Sequence, residues 1–205
     1  MVQEQISRRG LNEPRLLSAM QTVPRHLFVP SEYRLSAYED GPLPIGFGQT
    51  ISQPYIVALM THLLQLQGDE RVLEVGTGSG YQAAILGRLA REVHTIELVP
   101  ELAESAAKLL KELGMNNVHI HVGDGSVGWP ENAPYAGILV AAAAPQAPEA
   151  LLEQLAEGGR LVVPVGGRGW QELEVWERRG NRYESRDVLS VAFVPLRGEQ
   201  GWDRK

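Results

Sequence analysis

An α/β fold with a mostly parallel sheet flanked by helices is the architecture that this 205-residue sequence predicts. Three observations carry that expectation. From residue 71 onward, short apolar strand-like runs alternate with helix-like runs, the signature of parallel strands joined by crossover helices. A glycine-rich stretch, Gly76-Thr77-Gly78-Ser79-Gly80, follows the first of those strands and opens the next helix. Beyond residue 171 the apolar period becomes an alternation, so the sheet is expected to finish in antiparallel strands.

In chain order, Asn12 with Pro14 just inside it marks a helix start for Leu16 to Met20. Residues 41–48, Gly-Pro-Leu-Pro-Ile-Gly-Phe-Gly, read as an irregular loop. Ser52 or Gln53 then begins a helix with Pro54 early and Ile56, Val57, Leu59, Met60, Leu63 and Leu64 along its apolar side. Strands are expected at 71–75, 93–97, 118–122, 138–142 and 160–165, with helices after residue 80, at 100–113 (ended by Gly114) and at 148–155. Residues 172–176 and 190–194 alternate, with a turn at 179–182 between them, and the tail from Arg197 to Lys205 is expected to fray.

Bulk properties remove several functional classes. With 25 acidic and 19 basic residues spread along the chain, the net charge of −6 argues against a surface that wraps nucleic acid or docks on an anionic membrane. No cysteine means no disulfide, no thiolate nucleophile, no Cys-ligated zinc and no iron–sulfur cluster. The first ten residues lack the apolar core of a signal peptide, and no stretch approaches the ~18 apolar residues of a membrane span. A cytoplasmic monomer is expected.

The glycine loop is the strongest local signal, because a helix N-terminus offers free N–H groups and glycines let a ligand approach the backbone closely. Tyr81 stands where a dinucleotide fingerprint wants its last glycine, and no Lys-[Ser/Thr] pair follows as in a phosphate-binding P-loop. Glu97 closes the second strand about 20 residues beyond Gly76, where an acid accepts from ribose hydroxyls. Asp124, in Gly123-Asp124-Gly125 after the third strand, is either a plain turn or an acceptor for an exocyclic amine such as adenine N6. Acids around the loop with no basic counterpart favour an adenosine without a phosphate chain, which the cationic S-adenosylmethionine fits.

Residues 72–84 resemble the first motif of protein-L-isoaspartate (D-aspartate) O-methyltransferases. Gly46-Phe47-Gly48-Gln49-Thr50-Ile51-Ser52-Gln53-Pro54 is similar to that family's own N-terminal motif, and Val23 to Pro30, Gly123-Asp124-Gly125 with Gly128-Trp129, residues 142–145 and residues 154–166 are similar as well. The resemblance implies a Rossmann-like class I S-adenosylmethionine-dependent methyltransferase in a single domain: residues 1–70 a helical, substrate-side cap, 71–167 the cofactor-binding core, and 168–205 C-terminal strands and tail. It implies repair methylation of the free α-carboxylate of L-isoaspartyl residues in damaged proteins and peptides. The methyl ester collapses to a succinimide that hydrolyses partly to aspartyl, and S-adenosyl-L-homocysteine is the by-product. Carried over by position, cofactor contacts would come from Gly76, Thr77, Gly78, Ser79, Gly80, Tyr81, Glu97, Asp124 and Gly125. Gly46, Phe47, Gly48 and Gln49 would close over the cofactor, with Gln171 a further contact. Ser52 would be the active-site hydroxyl, with Thr50 beside it at the substrate. The family pattern departs at Ala136, where an Asp is usual, and at Ala141, often Thr.

The chemistry asks little of the side chains. An acceptor with a pKa of ~3.3–3.7 is already ionised at neutral pH, so no general base is needed and placement can supply ~7–11 kcal/mol of the barrier reduction. Ser52 would orient the carboxylate; a plain N-cap of the helix at Pro54 is the alternative role. His119 and His121 share a strand face, but no third ligand is evident and no metal is expected. His26, next to Arg25, could hold a substrate or cap and pair in the N-terminal region, and the structural role is preferred; the tryptophans Trp129, Trp170, Trp176 and Trp202 are read as packing residues. A different acceptor on the same fold, or binding of S-adenosylmethionine without catalysis, are the competing readings.

Overall fold

In a computed structural model, which describes residues 1–167 and 169–202, the first strands are β1 (Leu43–Gly46) and β2 (Gln49–Ile51), an antiparallel two-stranded hairpin. The main sheet contains β3 (Arg71–Val75), β4 (Glu92–Glu97), β5 (Val118–Val122), β6 (Tyr135–Val140), β7 (Leu155–Val165), β8 (Gln171–Arg179) and β9 (Arg182–Val191). Their order is β5-β4-β3-β6-β7-β8-β9, parallel through β7 and antiparallel from β7 to β9. Chain progression runs outward from β3 to β5, then returns to the other side of β3 with β6. The loops after β3 and β6 therefore part at the carboxyl ends, the crevice where open α/β sheets bind ligands.

Among the described residues, five α-helices accompany the sheet: α1 (Pro14–Thr22), α2 (Pro54–Leu63), α3 (Tyr81–Gly87), α4 (Pro100–Glu112) and α5 (Glu149–Glu153). Side chains alternate across a strand, and the core divides accordingly. Val72, Val93, Leu139 and Val162 point into one buried cluster with α1, α2 and α3 and Leu110 of α4. Leu73, Val75, Ile96, Ile138, Val140, Leu161 and Val163 point into the other with Leu151 and Leu152 of α5. Both faces of the central strands are covered, which explains why they read as continuous apolar runs.

Several elements differ from expectation for identifiable reasons. Residues 41–48 are not wholly irregular: Leu43 pairs with Ile51 and Pro44 with Thr50, and only Phe47 and Gly48 form the turn, both at positive φ. Proline is tolerated because a two-stranded ribbon is all edge. The N-cap position of α1 is Glu13, with no side-chain capping bond, rather than Asn12, whose side chain instead accepts from the Ser7 hydroxyl at 2.6 Å. β6 begins three residues earlier than residue 138 and β7 starts at Leu155, so α5 is trimmed to its apolar centre. β9 ends at Val191; Phe193 leaves the ladder because the Gln171 side chain grips its N–H at 2.7 Å and its carbonyl at 3.1 Å. The tail is held as far as Trp202, whose indole donates to the Ala143 carbonyl at 3.0 Å; residues 203–205 lie outside the described residues. Trp129 stacks on His121 at 4.0 Å, a packing role, and among the described residues no group of His, Asp or Glu is arranged to hold a metal. No described helix is long and apolar enough to cross a membrane.

Gly80 shows how the loop is fitted to the core. It caps α3 in the left-handed region (φ 86°), and a Cβ there would stand 3.2 Å from the Ala106 Cβ and 3.3 Å from Leu110 Cδ1 of α4. Gly80→Ala is therefore expected to lower the free energy of urea unfolding by ~1–3 kcal/mol through backbone strain and overpacking. An unchanged midpoint would show that the loop does not depend on glycine there.

Candidate active site

The backbone after β3 turns sharply because Gly76 and Thr77 both donate to the Ile96 carbonyl and Gly80 donates to the Thr77 carbonyl. Glu97, buried at the end of β4, completes the turn. One of its carboxylate oxygens accepts from Gly78 N–H at 2.8 Å and the other from Val99 N–H at 3.0 Å. Each oxygen keeps a second lone pair for a ligand hydroxyl. Beneath the loop, Thr77 and Thr95 share a hydrogen bond of 2.7 Å, and Thr95 donates to Glu74 at 2.6 Å.

Glu74 is the residue that pattern reading missed. It lines the cleft, is fully buried, and its Oε1 has no hydrogen-bond partner among the described residues. Burial pushes its pKa up to about 8, with the Thr95 hydrogen bond opposing and Glu97 adding to the rise. Burial penalises the ionised form of this carboxyl, and a cationic amine entering the cleft would favour it again, making the unpartnered oxygen an acceptor. Its signal was present in the sequence as the one acid inside the apolar run Val72-Leu73-Glu74-Val75.

Two cavities meet at the hairpin. The cleft is lined by the glycine loop, Glu74, Ile96–Val99, Gly125, Phe47, Gln49 and residues 194–197. The second, a groove of about 590 Å³, is lined by Arg9, Tyr55, Ile56, Trp170 and residues 189–194, among others. Thr50, Ser52, Ala141 and Val194 line both. Ser52 is not the helix cap: that position belongs to Gln53, which makes no side-chain capping bond. Buried Arg25 donates to the Ser52 carbonyl at 2.8 Å. Neither lining includes a histidine, so the junction offers hydroxyls and backbone rather than an acid–base pair.

Of the residues proposed from sequence, Phe47, Gln49, Thr50, Ser52, Gly76, Thr77, Gly78, Ser79, Tyr81, Glu97 and Gly125 line the cleft. Gly46 and Gly48 shape the hairpin turn without lining it, both at positive φ, and Gly80 packs against α4. Asp124 is not in the lining. Its Oδ1 accepts from the Ser126 amide and hydroxyl and its Oδ2 from the Glu199 amide, so it fastens the C-terminal segment behind Gly125. Gln171 likewise stands apart from the cleft, holding Phe193. Ala136 lies at a register shift of β6, and the strand forms around it. Trp170 is 72% exposed and forms a groove wall rather than core packing. Val194 to Arg197, which no local pattern marked, close the cleft from the far end of the chain.

The family model for protein-L-isoaspartate(D-aspartate) O-methyltransferase matches residues 1–201. A protein-L-isoaspartate O-methyltransferase of Methanoregula boonei is 57% identical over 203 residues, 99% of this chain and 94% of its own length. One from Dictyoglomus thermophilum is 53% identical over 94% of this chain and 88% of its own. Among solved structures, a protein-L-isoaspartate O-methyltransferase superposes with TM-score 0.88 at 29% identity, over 98% of this chain and 67% of that one. A Plasmodium falciparum protein of the same description, in complex with S-adenosyl-L-homocysteine, gives TM-score 0.83 at 25% identity over 96% of each chain.

Glu74 yields a test independent of any ligand. Its folded pKa lies above the unfolded value, so the folded state holds a proton that the unfolded chain has released between those two values, and stability falls as pH rises through that window. Glu74→Gln mimics the protonated form. The variant is expected to match the wild type near pH 4.5 and to become progressively the more stable up to about pH 8, by at most ~1.4 kcal/mol per pH unit. A constant difference in urea unfolding across that range would show that Glu74 is ionised in the fold.

Proposed function

The chain belongs to the protein-L-isoaspartate(D-aspartate) O-methyltransferase family, and from that premise we propose that its cleft and groove carry out methyl transfer at Ser52. The activity is protein repair: a methyl group passes from S-adenosylmethionine to the free α-carboxylate of an L-isoaspartyl residue, and the ester goes on to a succinimide that returns in part to aspartyl. The single observation that supports the site assignment is the shared wall of the two cavities, where Thr50 and Ser52 face both.

The residues of the cleft suit this cofactor. S-adenosylmethionine supplies an electrophilic methyl on a cationic sulfonium and is left as S-adenosyl-L-homocysteine. In our reading Glu97 accepts from the ribose hydroxyls with the lone pairs that Gly78 and Val99 leave free. Gly76 to Ser79 and Glu74 receive the amino-acid end, and Gly125 with Leu98 and Val99 borders the base. Phe47 and Gln49 cover the cleft from the hairpin turn. On the groove side, the Ser52 hydroxyl donates to one oxygen of the acceptor carboxylate while Ile56, Ala141 and Val194 exclude water around it. The carboxylate is already ionised, so no side chain has to take its proton. We propose that the protein works as a cytoplasmic monomer on exposed peptide segments that enter the open groove.

Paired peptides test the function. Purified protein with labelled S-adenosylmethionine is expected to methylate an isoaspartyl peptide and to leave its aspartyl twin unlabelled; equal labelling of both, or of neither, would contradict the assignment. Ser52 is tested separately. Losing a hydrogen bond to a charged acceptor costs ~1.5–3 kcal/mol, so Ser52→Ala is expected to lower kcat/KM for the peptide roughly 10- to 100-fold. The dissociation constant for S-adenosyl-L-homocysteine, by calorimetry, should be unchanged. Full activity in the variant would remove Ser52 from the site.

A further inference from the structure

Arg25 stands in a short 3-10 turn, Arg25–Phe28, and is completely buried. Its Nε donates to the Ala37 carbonyl at 2.7 Å and its Nη2 to the Ser52 carbonyl at 2.8 Å. The guanidinium lies over the Tyr81 ring, 4.9 Å from the centroid. Nη1 has no hydrogen-bond partner, and no carboxylate pairs with the charge among the described residues. Burial lowers the Arg25 pKa and raises that of Tyr81 to about 12, the mutual attraction of the pair opposing both shifts.

A charge buried on these conditions is a poor way to stabilise a core, where an apolar side chain of similar volume would serve as well or better. What an apolar residue lacks is the fork. A guanidinium is planar, with adjacent N–H groups in fixed directions and a face that stacks on an aromatic ring, so it can hold two carbonyls and a ring in one geometry. The three groups held here are informative. Ser52 lines both cavities, Tyr81 is the first residue of α3 after the glycine loop, and Ala37 belongs to the segment that leads into the hairpin. Gln53 is tied to the same segment by its own bond to the Asp40 carbonyl at 3.2 Å.

We infer that Arg25 is a positioning residue that fixes the Ser52 backbone against the Tyr81 ring, so that the acceptor-binding hydroxyl stands at a set distance from the cofactor loop. It touches neither ligand and acts through Ser52, so the inference rests on the role assigned to Ser52 above. A lysine would keep the charge but, as a point donor, could not hold both carbonyls and the ring together.

A double-mutant cycle separates this role from simple stabilisation. Arg25→Lys, Ser52→Ala and the double variant are compared with the wild type for kcat and KM on an isoaspartyl peptide, for S-adenosyl-L-homocysteine affinity by calorimetry, and for thermal unfolding. Arg25→Lys is expected to lose roughly tenfold in kcat/KM with cofactor affinity within about twofold of the wild type, and to add no further loss once Ser52 is Ala. Equal proportional losses in both backgrounds, or no loss, would overturn the inference while leaving Ser52 in place. An inert Ser52→Ala would instead overturn the reading it rests on, and the inference with it. Should the lysine variant not fold, Arg25→Gln, which keeps an amide donor without a buried charge, runs the same cycle. Failure of both to fold would show that Arg25 serves stability alone and would overturn the inference.

Discussion

The carboxylate of Glu97 joins the two loops on which the cleft depends. By accepting from Gly78 on one side and Val99 on the other, it fixes the exit of β3 relative to the exit of β4. The backbone bonds of Gly76, Thr77 and Gly80 set the turn of the glycine loop, and Glu97 ties that loop to the one after β4 through Gly78 and Val99. The buried sequence Thr77–Thr95–Glu74 extends the same arrangement inward, from loop to strand core. A buried carboxyl with one free oxygen is costly in an interior unless it has a partner to receive. Glu74 lines the cleft, where our reading gives it that partner.

The second half of the site is built differently. Sheet and helix place the cleft, but the groove is assembled from chain segments far apart in sequence: Arg9, the hairpin and the segment after β9. Arg9 pairs with Asp40 and lies over the Tyr55 ring, while the Trp170 indole is tied to Glu172 and Glu172 to Ser190. These polar ties orient large side chains at an open surface, where apolar packing alone would not. Catalysis by placement needs such rigidity, since small errors in the position of two reactants forfeit most of the advantage of holding them together.

Legibility in the sequence followed the range of the interactions. β3, the glycine loop, α4 with its Gly114 stop, and the β8–β9 turn are set by neighbours a few residues away, and each was readable. The hairpin was not. Gly41-Pro42-Leu43-Pro44 carries every local mark of a loop, and only the pairing of Leu43 with Ile51 makes a strand of it. Asp124 was found by motif and spacing, yet the partner that occupies its Oδ2 is the amide of Glu199, 75 residues later. Gln171 was marked only by the family resemblance, while its attachment to Phe193 depended on where β9 ends. Glu74 was hidden because an acid in a short strand passes for a solvent-facing residue until the helices on both faces are in place. Arg25 drew no assignment from the sequence for the same reason: nothing local shows that Ala37 and Ser52 converge on it.

The account turns on one claim, that the acceptor carboxylate and the methyl donor meet at the wall shared by cleft and groove. A crystal structure of the protein with S-adenosyl-L-homocysteine and an isoaspartyl peptide tests it most directly. The expected result has the product's sulfur above the glycine loop, the peptide along the groove between Tyr55 and Trp170, and one α-carboxylate oxygen within hydrogen-bond distance of the Ser52 hydroxyl, facing the sulfur. A carboxylate bound away from Thr50 and Ser52, or a peptide lying outside the groove, would contradict it.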